Sequence, residues 1–114
     1  MTLIYKICEA AEWRHAEATG QFDGAPVDLA DGFIHFSTAE QVTETAERHF
    51  SGKDGLLLIA IDETALGSAL KYEPSRGGVL FPHLYAPLPV SAAVWSRPLP
   101  LGSDGRHVFP PLDS

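Results

Sequence analysis

The sequence of 114 residues contains a single cysteine, Cys8, so no disulfide bond can form within the chain. Cys8 follows the apolar run LIYKI, which predicts a buried structural thiol rather than a reactive one. No stretch approaches the ~20 apolar residues of a membrane-spanning helix. The N-terminus also lacks the basic start and long apolar segment of a signal peptide. These absences favour a cytoplasmic protein.

Basic residues are scarce. Eight Lys and Arg stand against fifteen Asp and Glu, which gives a formal net charge of −7. Proteins that bind long nucleic acids usually carry a basic surface, because neutralising phosphates drives their affinity. The charge balance therefore argues against a long nucleic acid as partner. It is compatible with a small anionic or nucleotide ligand held by one or two local cations.

Several motifs that mark common enzyme classes are missing. The five histidines show no HExxH spacing and there is no CxxC pair, so we expect no metal site. A GxSxG nucleophile elbow, a P-loop and a GxGxxG fingerprint are also absent from the sequence. Function must therefore be inferred from less familiar groups of residues.

The residue pattern predicts one α+β domain over residues 1–114. The run LLLIAI predicts a strand that is buried on both faces at the centre of a sheet. Strands are predicted at residues 2–8, 32–36, 56–61, 70–73 and 92–97, and helices at 9–19 and from 37 or 38 to about 50. Loops are predicted at 21–31 and 73–89, a helical turn or loop at 62–70, and a loosely packed tail at about 99–114.

The stretch GFIHFST carries the first group of candidate site residues. Strand alternation directs Phe33, His35 and Ser37 to the same side. We expect Ser37 or Thr38 to cap the next helix, with the acid or amide three residues later completing a capping box. A histidine and two hydroxyls beside a helix N-terminus could bind a small anion, with His35 as donor or acid. The alternative is a hydrogen-bonded packing histidine beside an ordinary helix cap.

The stretch EPSRGGVLFPHLYAPLP, residues 73–89, carries the second group. Gly77 and Gly78 allow backbone torsions or close approaches that other residues forbid. Arg76, directly before them, can present a planar fork to a phosphate or a carboxylate. Glu73 is the nearest acid, and it could orient Arg76 or act on a substrate.

Two further residues of this stretch, His83 and Tyr85, share strand parity and should face the same side of a short segment. Prolines on either side stiffen that segment. The alternative interpretation is a purely structural loop, in which Arg76 pairs with Glu73 and Tyr85 fills the core. The two stretches together predict a cleft with GFIHFST as one wall and residues 73–89 as the other.

The segments IYKI, DGFIHFST, TAERHF, LLLIAID and EPSRGGVLFPHLYAPLP resemble the bacterial domain-of-unknown-function family numbered 952, over nearly the whole chain. The order of the motifs is also similar to that of the RNA 2′-phosphotransferases, and hence of the ADP-ribosyltransferase superfamily. In that comparison IYKIC matches the first strand, FIHFST the second and LLLIAID the third. This resemblance implies an ADP-ribosylation-like fold: split, mostly antiparallel sheets, two helices in the N-terminal half, and a cleft that binds NAD.

The same resemblance implies roles for individual residues. His35 corresponds to the histidine of the second motif, Arg76 falls near the phosphate-handling segment, and Lys6 stands where the first motif has its NAD-contacting histidine. The expected catalytic residues are His35, Glu73 and Arg76. The expected ligand-binding residues are Lys6, Ser37, Thr38, Arg76, Gly77, Gly78, His83 and Tyr85.

Three functions are compatible with these features. The first is a small ADP-ribosyl- or phosphotransferase-like protein that binds NAD or a related nucleotide and cleaves it. The second is a non-catalytic module that binds a small anion such as ADP-ribose, a nucleotide or a glutathione-like peptide. The third is a protein-interaction domain that uses the proline-rich end and Trp95 as its surface.

Overall fold

The computed structural model describes residues 2–113, and for Arg76 it describes the backbone but not the side chain. Met1 and Ser114, the two ends of the predicted domain, lie outside the described residues. The strands are β1 (Leu3–Glu9), β2 (Gln21–Phe22), β3 (Ile34–His35), β4 (Ser37–Thr38), β5 (Leu56–Asp62), β6 (Leu70–Pro74), β7 (Leu80–Leu84), β8 (Leu88–Pro89) and β9 (Ala93–Leu99). The α-helices are α1 (Ala10–Thr19), α2 (Pro26–Asp31) and α3 (Val42–His49), and the 3₁₀ segments are Glu63–Ala69, Arg76–Gly78 and Val90–Ala92.

The strands form three separate sheets, with the orders β4-β1-β5-β9, β2-β8 and β3-β7-β6. Every pairing between these strands is antiparallel. The prediction of an α+β domain with split, mostly antiparallel sheets is therefore confirmed. In the largest sheet β5 lies between β1 and β9, as the LLLIAI run predicts.

Two apolar cores cover the opposite faces of this central sheet. Side chains alternate along a strand, so neighbouring residues of β5 enter different cores. Leu58 joins a core closed by α3 and the C-terminal segment, whereas Ile59 joins a core closed by α1 and the two smaller sheets. Cys8 lies in the second of these cores, where burial raises its pKa to about 12. The prediction that the Cys8 thiol is buried is confirmed.

The loop predicted at residues 21–31 is wrong at both ends, because Gln21–Phe22 form β2 and Pro26–Asp31 form α2. Proline is favoured in the first turn of a helix, since its missing N–H has no partner there. Gly32 ends the helix with φ 84, a left-handed torsion that glycine adopts without strain. The carboxylate of Asp28 accepts a hydrogen bond from the Ala25 N–H at 2.8 Å, which satisfies a donor at the N-terminus.

The predicted helix cap at Ser37 or Thr38 is also wrong, because both residues form β4, which pairs with β1. Helix α3 begins only at Val42. The side-chain oxygen of Gln41 accepts from the Thr38 N–H at 3.0 Å, and the Gln41 N–H donates to the Thr38 carbonyl at 3.0 Å. The predicted capping-box pair therefore closes a turn before the helix rather than starting it.

The segment 73–89 is more regular than a loop. It contains β7 and β8, and β7 is the middle strand of its sheet. Pro82 lies inside β7, which hides the strand pattern in the sequence, yet its carbonyl still accepts from the Phe36 N–H at 3.0 Å. Gly77 and Gly78 have φ values of 66 and 81, so the predicted need for glycine torsions is confirmed.

The predicted tail makes specific contacts with the body. Phe109 and Leu112 pack against the core beneath α3, and the Tyr5 hydroxyl donates to the carbonyl of Asp113 at 2.5 Å. Trp95, on β9, packs its ring against Tyr5 with centroids 5.9 Å apart. Within residues 2–113, no helix combines the length and the apolar character needed to cross a membrane.

Candidate functional site

The two stretches predicted as cleft walls are neighbouring strands. β3 pairs with β7 so that His35 lies directly opposite His83. Their ring centroids are 5.7 Å apart. Phe33 covers both rings, at centroid distances of 4.6 Å from His35 and 4.1 Å from His83. Since β3 and β7 derive from the two predicted stretches, the sheet register itself brings these histidines together.

The ring of His35 contacts two carboxylates. Its Nδ1 lies 2.6 Å from an oxygen of Asp28, and its Nε2 lies 2.9 Å from an oxygen of Asp31. Asp28 and Asp31 sit three residues apart on α2, so they share one face of the helix. Helix α2, which the sequence did not predict, thus fixes the orientation of His35.

Asp28 is the centre of a buried network. Its side chain accepts from the Lys6 ammonium at 2.8 and 3.0 Å, from the backbone N–H of His35 at 3.1 Å, and from Ala25. Burial alone would raise the pKa of Asp28, but hydrogen bonds from His35 and Lys6 and the charge of Lys6 outweigh it and lower the pKa to about 2. Asp28 is therefore ionised at neutral pH, and the Nδ1–H of His35 donates to its carboxylate.

We expect this network to make the protein sensitive to acid. The folded-state pKa of Asp28 lies below its usual value, so the stabilisation is complete above about pH 5 and is lost as the pH falls towards about 2. The shift corresponds to about 2 kcal/mol in the free energy of unfolding. Urea unfolding measured across this pH interval tests the expectation.

The matched reference for that experiment is the double variant Lys6→Met with Asp28→Asn, which lacks the buried ion pair. Its stability should fall less steeply between about pH 5 and about pH 2 than that of the wild type. Equal slopes in the two chains would assign the acid sensitivity to other carboxylates.

His83 has its own carboxylate partner. Its Nδ1 lies 2.8 Å from Oε1 of Glu73, and the same oxygen accepts from the Tyr85 hydroxyl at 2.6 Å. The hydrogen bonds from Tyr85 and His83 lower the pKa of Glu73, while the hydrogen bond to Glu73 raises the pKa of Tyr85. Glu73 is thus a carboxylate that orients His83. In both histidines Nδ1 is therefore held by a carboxylate, Asp28 for His35 and Glu73 for His83, and Nε2 lies on the opposite side of the ring.

Both histidines line a cavity of about 500 Å³. Its apolar wall consists of Tyr5, Ile7, Val27, Phe36, Phe50 and Phe81, and its polar lining consists of Lys6, Asp31, His35, Ser37, Thr45, His49, Ser75 and His83. The Ser37 hydroxyl lies 2.8 Å from that of Thr45, which ties β4 to α3 at this wall. Such a mixture of aromatic walls with a few polar groups is typical of small-molecule sites.

The predicted catalytic and ligand-binding residues divide into two groups. Lys6, His35, Ser37 and His83 line the cavity. Thr38, Glu73, Gly77, Gly78 and Tyr85 do not belong to the lining within the described part of the chain. The predicted roles of Arg76 as catalyst and ligand-binding residue concern its side chain, which lies outside the described residues. Ser75, its neighbour in sequence, does line the cavity.

Sequence reasoning missed Asp28, Asp31 and Phe33. Pro26 followed six residues later by Gly32 is the pattern of a short helix, and it could have placed both aspartates on one helical face. Phe33 was predicted on the same side as His35 but not as a site residue, and the structure places the two rings in contact. Among the residues that the structure describes, no group of three or more His, Cys, Asp or Glu side chains could hold a metal ion.

Comparison with known proteins gives a family and close structural relatives. The profile of the family described as "Protein of unknown function (DUF952)" matches residues 7–96. The crystal structure of protein CC0527 from Caulobacter crescentus is similar, with 52% identity, 94% of each chain covered and a TM-score of 0.90. The solution NMR structure of CC0527 shows 54% identity, covers 93% of this chain and 91% of that one, and has a TM-score of 0.84. No functionally curated protein matches the chain.

Proposed function

The chain belongs to the DUF952 family, and we propose that its cleft binds a small nucleotide-type ligand such as NAD or ADP-ribose. The observation that carries the proposal is the pair of opposed histidines, His35 and His83, on the wall of one cavity. Carboxylates hold Nδ1 of each ring, so Nε2 is the nitrogen that a ligand oxygen would approach; in His35 this nitrogen contacts the exposed carboxylate of Asp31. The cavity volume of about 500 Å³ lies within the range of about 300–1,000 Å³ usual for small-molecule sites.

The lining also suits the two parts of such a ligand. Aromatic side chains such as Phe36 and Phe81 offer apolar surface to a base or a nicotinamide ring. The histidines and the hydroxyl of Ser75 offer donors to phosphate oxygens. The ammonium of Lys6 contributes less than its charge suggests, because Asp28 already neutralises it.

Of the two versions of this proposal, the binding module is better supported than the transferase. Cleavage of NAD at its sugar needs a carboxylate close to the oxocarbenium-like carbon. The expected catalyst, Glu73, is engaged with His83 and Tyr85 and is outside the cavity lining. The transferase version draws on the motif resemblance and on two histidine–carboxylate pairs, which can act as general acid and base.

A ligand panel tests the proposal. NAD, ADP-ribose, AMP, a 2′-phosphorylated oligonucleotide and glutathione are compared by thermal shift and by NMR of the histidine rings. We expect NAD or ADP-ribose to stabilise the fold, by about 2.7 kcal/mol at a concentration of about 100 times Kd. His35→Gln should weaken binding about tenfold or more, since it removes a charge-assisted donor.

The matched control is His15→Gln, because His15 is an exposed histidine on α1 that does not line the cavity. Binding should be unchanged in this variant. A panel in which no compound shifts either the melting temperature or the rings of His35 and His83 would remove the basis of the proposal. Chromatography of NAD after incubation decides between the two versions, because only the transferase consumes it.

A further inference from the structure

The two carboxylates at His35 differ in how firmly they are held. The Asp28 side chain is 1% exposed, whereas that of Asp31 is 49% exposed. Asp28 also has Lys6 and two backbone N–H groups as partners. Among the side chains that the structure describes, the carboxylate of Asp31 has only one hydrogen-bonding or ionic partner, Nε2 of His35. One carboxylate is thus part of the buried framework, and the other is held by a single contact at the surface.

Asp31 is free to leave this contact without disturbing the fold. It is the last residue of α2, and Gly32 ends the helix directly after it. An exposed ion pair contributes little to stability, because water competes for both charges. Rotation of the Asp31 side chain into solvent would leave His35 still oriented by Asp28.

We propose that Asp31 occupies the position in which an oxyanion of the ligand binds at Nε2 of His35, and that the ligand displaces it. Asp31 and His35 both line the cavity, so Nε2 is reached from the same space that a ligand would fill. This inference rests on the proposed function, since it names the subsite that takes the anionic group. The ligand chemistry is a phosphate or carboxylate group that accepts a hydrogen bond at Nε2 of His35, where Asp31 Oδ2 lies at 2.9 Å.

Displacement follows from electrostatics and donor count. The Nε2 of His35 carries one N–H at most, so two anionic oxygens cannot both accept it in good geometry. An anion bound beside an undisplaced Asp31 would face a like charge in a partly desolvated cavity, which weakens binding. Asp31 therefore competes with the ligand for Nε2 of His35. A ligand binds at this nitrogen only when its oxyanion interacts with it more favourably than the carboxylate of Asp31 does.

The substitution Asp31→Asn tests this inference, because it keeps the size of the side chain and removes its charge. We expect the Kd for pyrophosphate and for ADP-ribose to fall about three- to tenfold, the range in which an exposed ion pair and a like-charge contact act. Isothermal titration measures the Kd, and the ¹⁵N shift of His35 Nε2 reports whether the ligand is at this nitrogen. Acetate, titrated in parallel, separates recognition of carboxylates from recognition of phosphates.

The control Asp23→Asn makes the same change of net charge at an exposed aspartate outside the cavity lining. It should leave the Kd unchanged, whereas an equal gain in both variants would assign the effect to net charge and overturn the inference. Unchanged or weaker binding in Asp31→Asn, with wild-type binding intact, would also overturn it while leaving the proposed function standing. If neither wild type nor Asp31→Asn binds any compound at His35, both proposals fail. Asp31→Ala repeats the measurement without the amide, and circular dichroism confirms the fold of each variant.

Discussion

Replacing Asp28 with asparagine is expected to lower the free energy of unfolding by about 3–5 kcal/mol, because the buried ammonium of Lys6 loses the charge that compensates it. Lys6 is 5% exposed, so water cannot take over the role of the carboxylate. Domains of this size have a total stability of about 5–15 kcal/mol, so the variant should be partly unfolded at elevated temperature. Urea unfolding at neutral pH, followed by circular dichroism, measures the loss.

Two further variants identify the cause of that loss. Asp23→Asn makes the same chemical change at an exposed site and should alter stability by about 0.5 kcal/mol or less. Adding Lys6→Met to Asp28→Asn should recover part of the loss, since it removes the uncompensated charge. The ion pair is not the centre of the network if Asp28→Asn lowers the free energy of unfolding no more than Asp23→Asn does. The same conclusion holds if adding Lys6→Met lowers the free energy of unfolding further by an additive amount.

Trp13→Ala is expected to destabilise the fold by about 3–5 kcal/mol. Trp13 lies on α1, is 1% exposed and packs on Phe22 with ring centroids 5.9 Å apart. Its removal leaves a cavity in the core that also holds Ile34 and Leu84, the neighbours of the two histidines in β3 and β7. The loss should therefore appear both in urea unfolding and as broadened NMR signals of the His35 and His83 rings.

The second tryptophan provides the matched control. Trp95 lies on β9 and is half-buried, and the Arg97 guanidinium lies 4.5 Å from its ring centre. Trp95→Ala should cost about 1–2 kcal/mol, because part of its surface already faces water. Similar losses in the two variants would mean that the core beneath α1 contributes less than its burial indicates.

The parts of the fold that could be predicted have local signatures. Strand β5 is apolar on both faces because cores cover both sides of its sheet. The unbroken apolar run LLLIAI therefore predicts its position at the centre of the sheet. Helix α2 has only the proline and glycine at its ends as a signature and no apolar pattern, since Asp28 is its only buried residue and reaches across 22 positions to Lys6. A contact of that kind depends on the tertiary fold, so the short stretch around it has the composition of a loop.

The candidate site likewise has parts that the sequence could predict and parts that it could not. His35 and His83 could be predicted as members of one cleft, because each stands in a stretch whose residue types are unusual for a structural segment. The partner of Glu73 could not be predicted from proximity in sequence. The sequence suggests Arg76 as the partner of Glu73, but antiparallel pairing of β6 and β7 brings His83 diagonally across to Glu73.

The anchoring of α2 has a consequence for how the cavity opens. An isolated helix of six residues is unstable in water, and this one leaves Val27 and Leu29 55% and 65% exposed. Its one buried side chain is the ion-paired Asp28, whereas the sheets are held by apolar burial. Local opening of the wall that carries Val27 and Asp31 then has its own free energy, distinct from that of global unfolding. Amide hydrogen exchange in residues 26–31 should respond to acid through Asp28, and the exchange of β5 should not follow it until the whole domain unfolds.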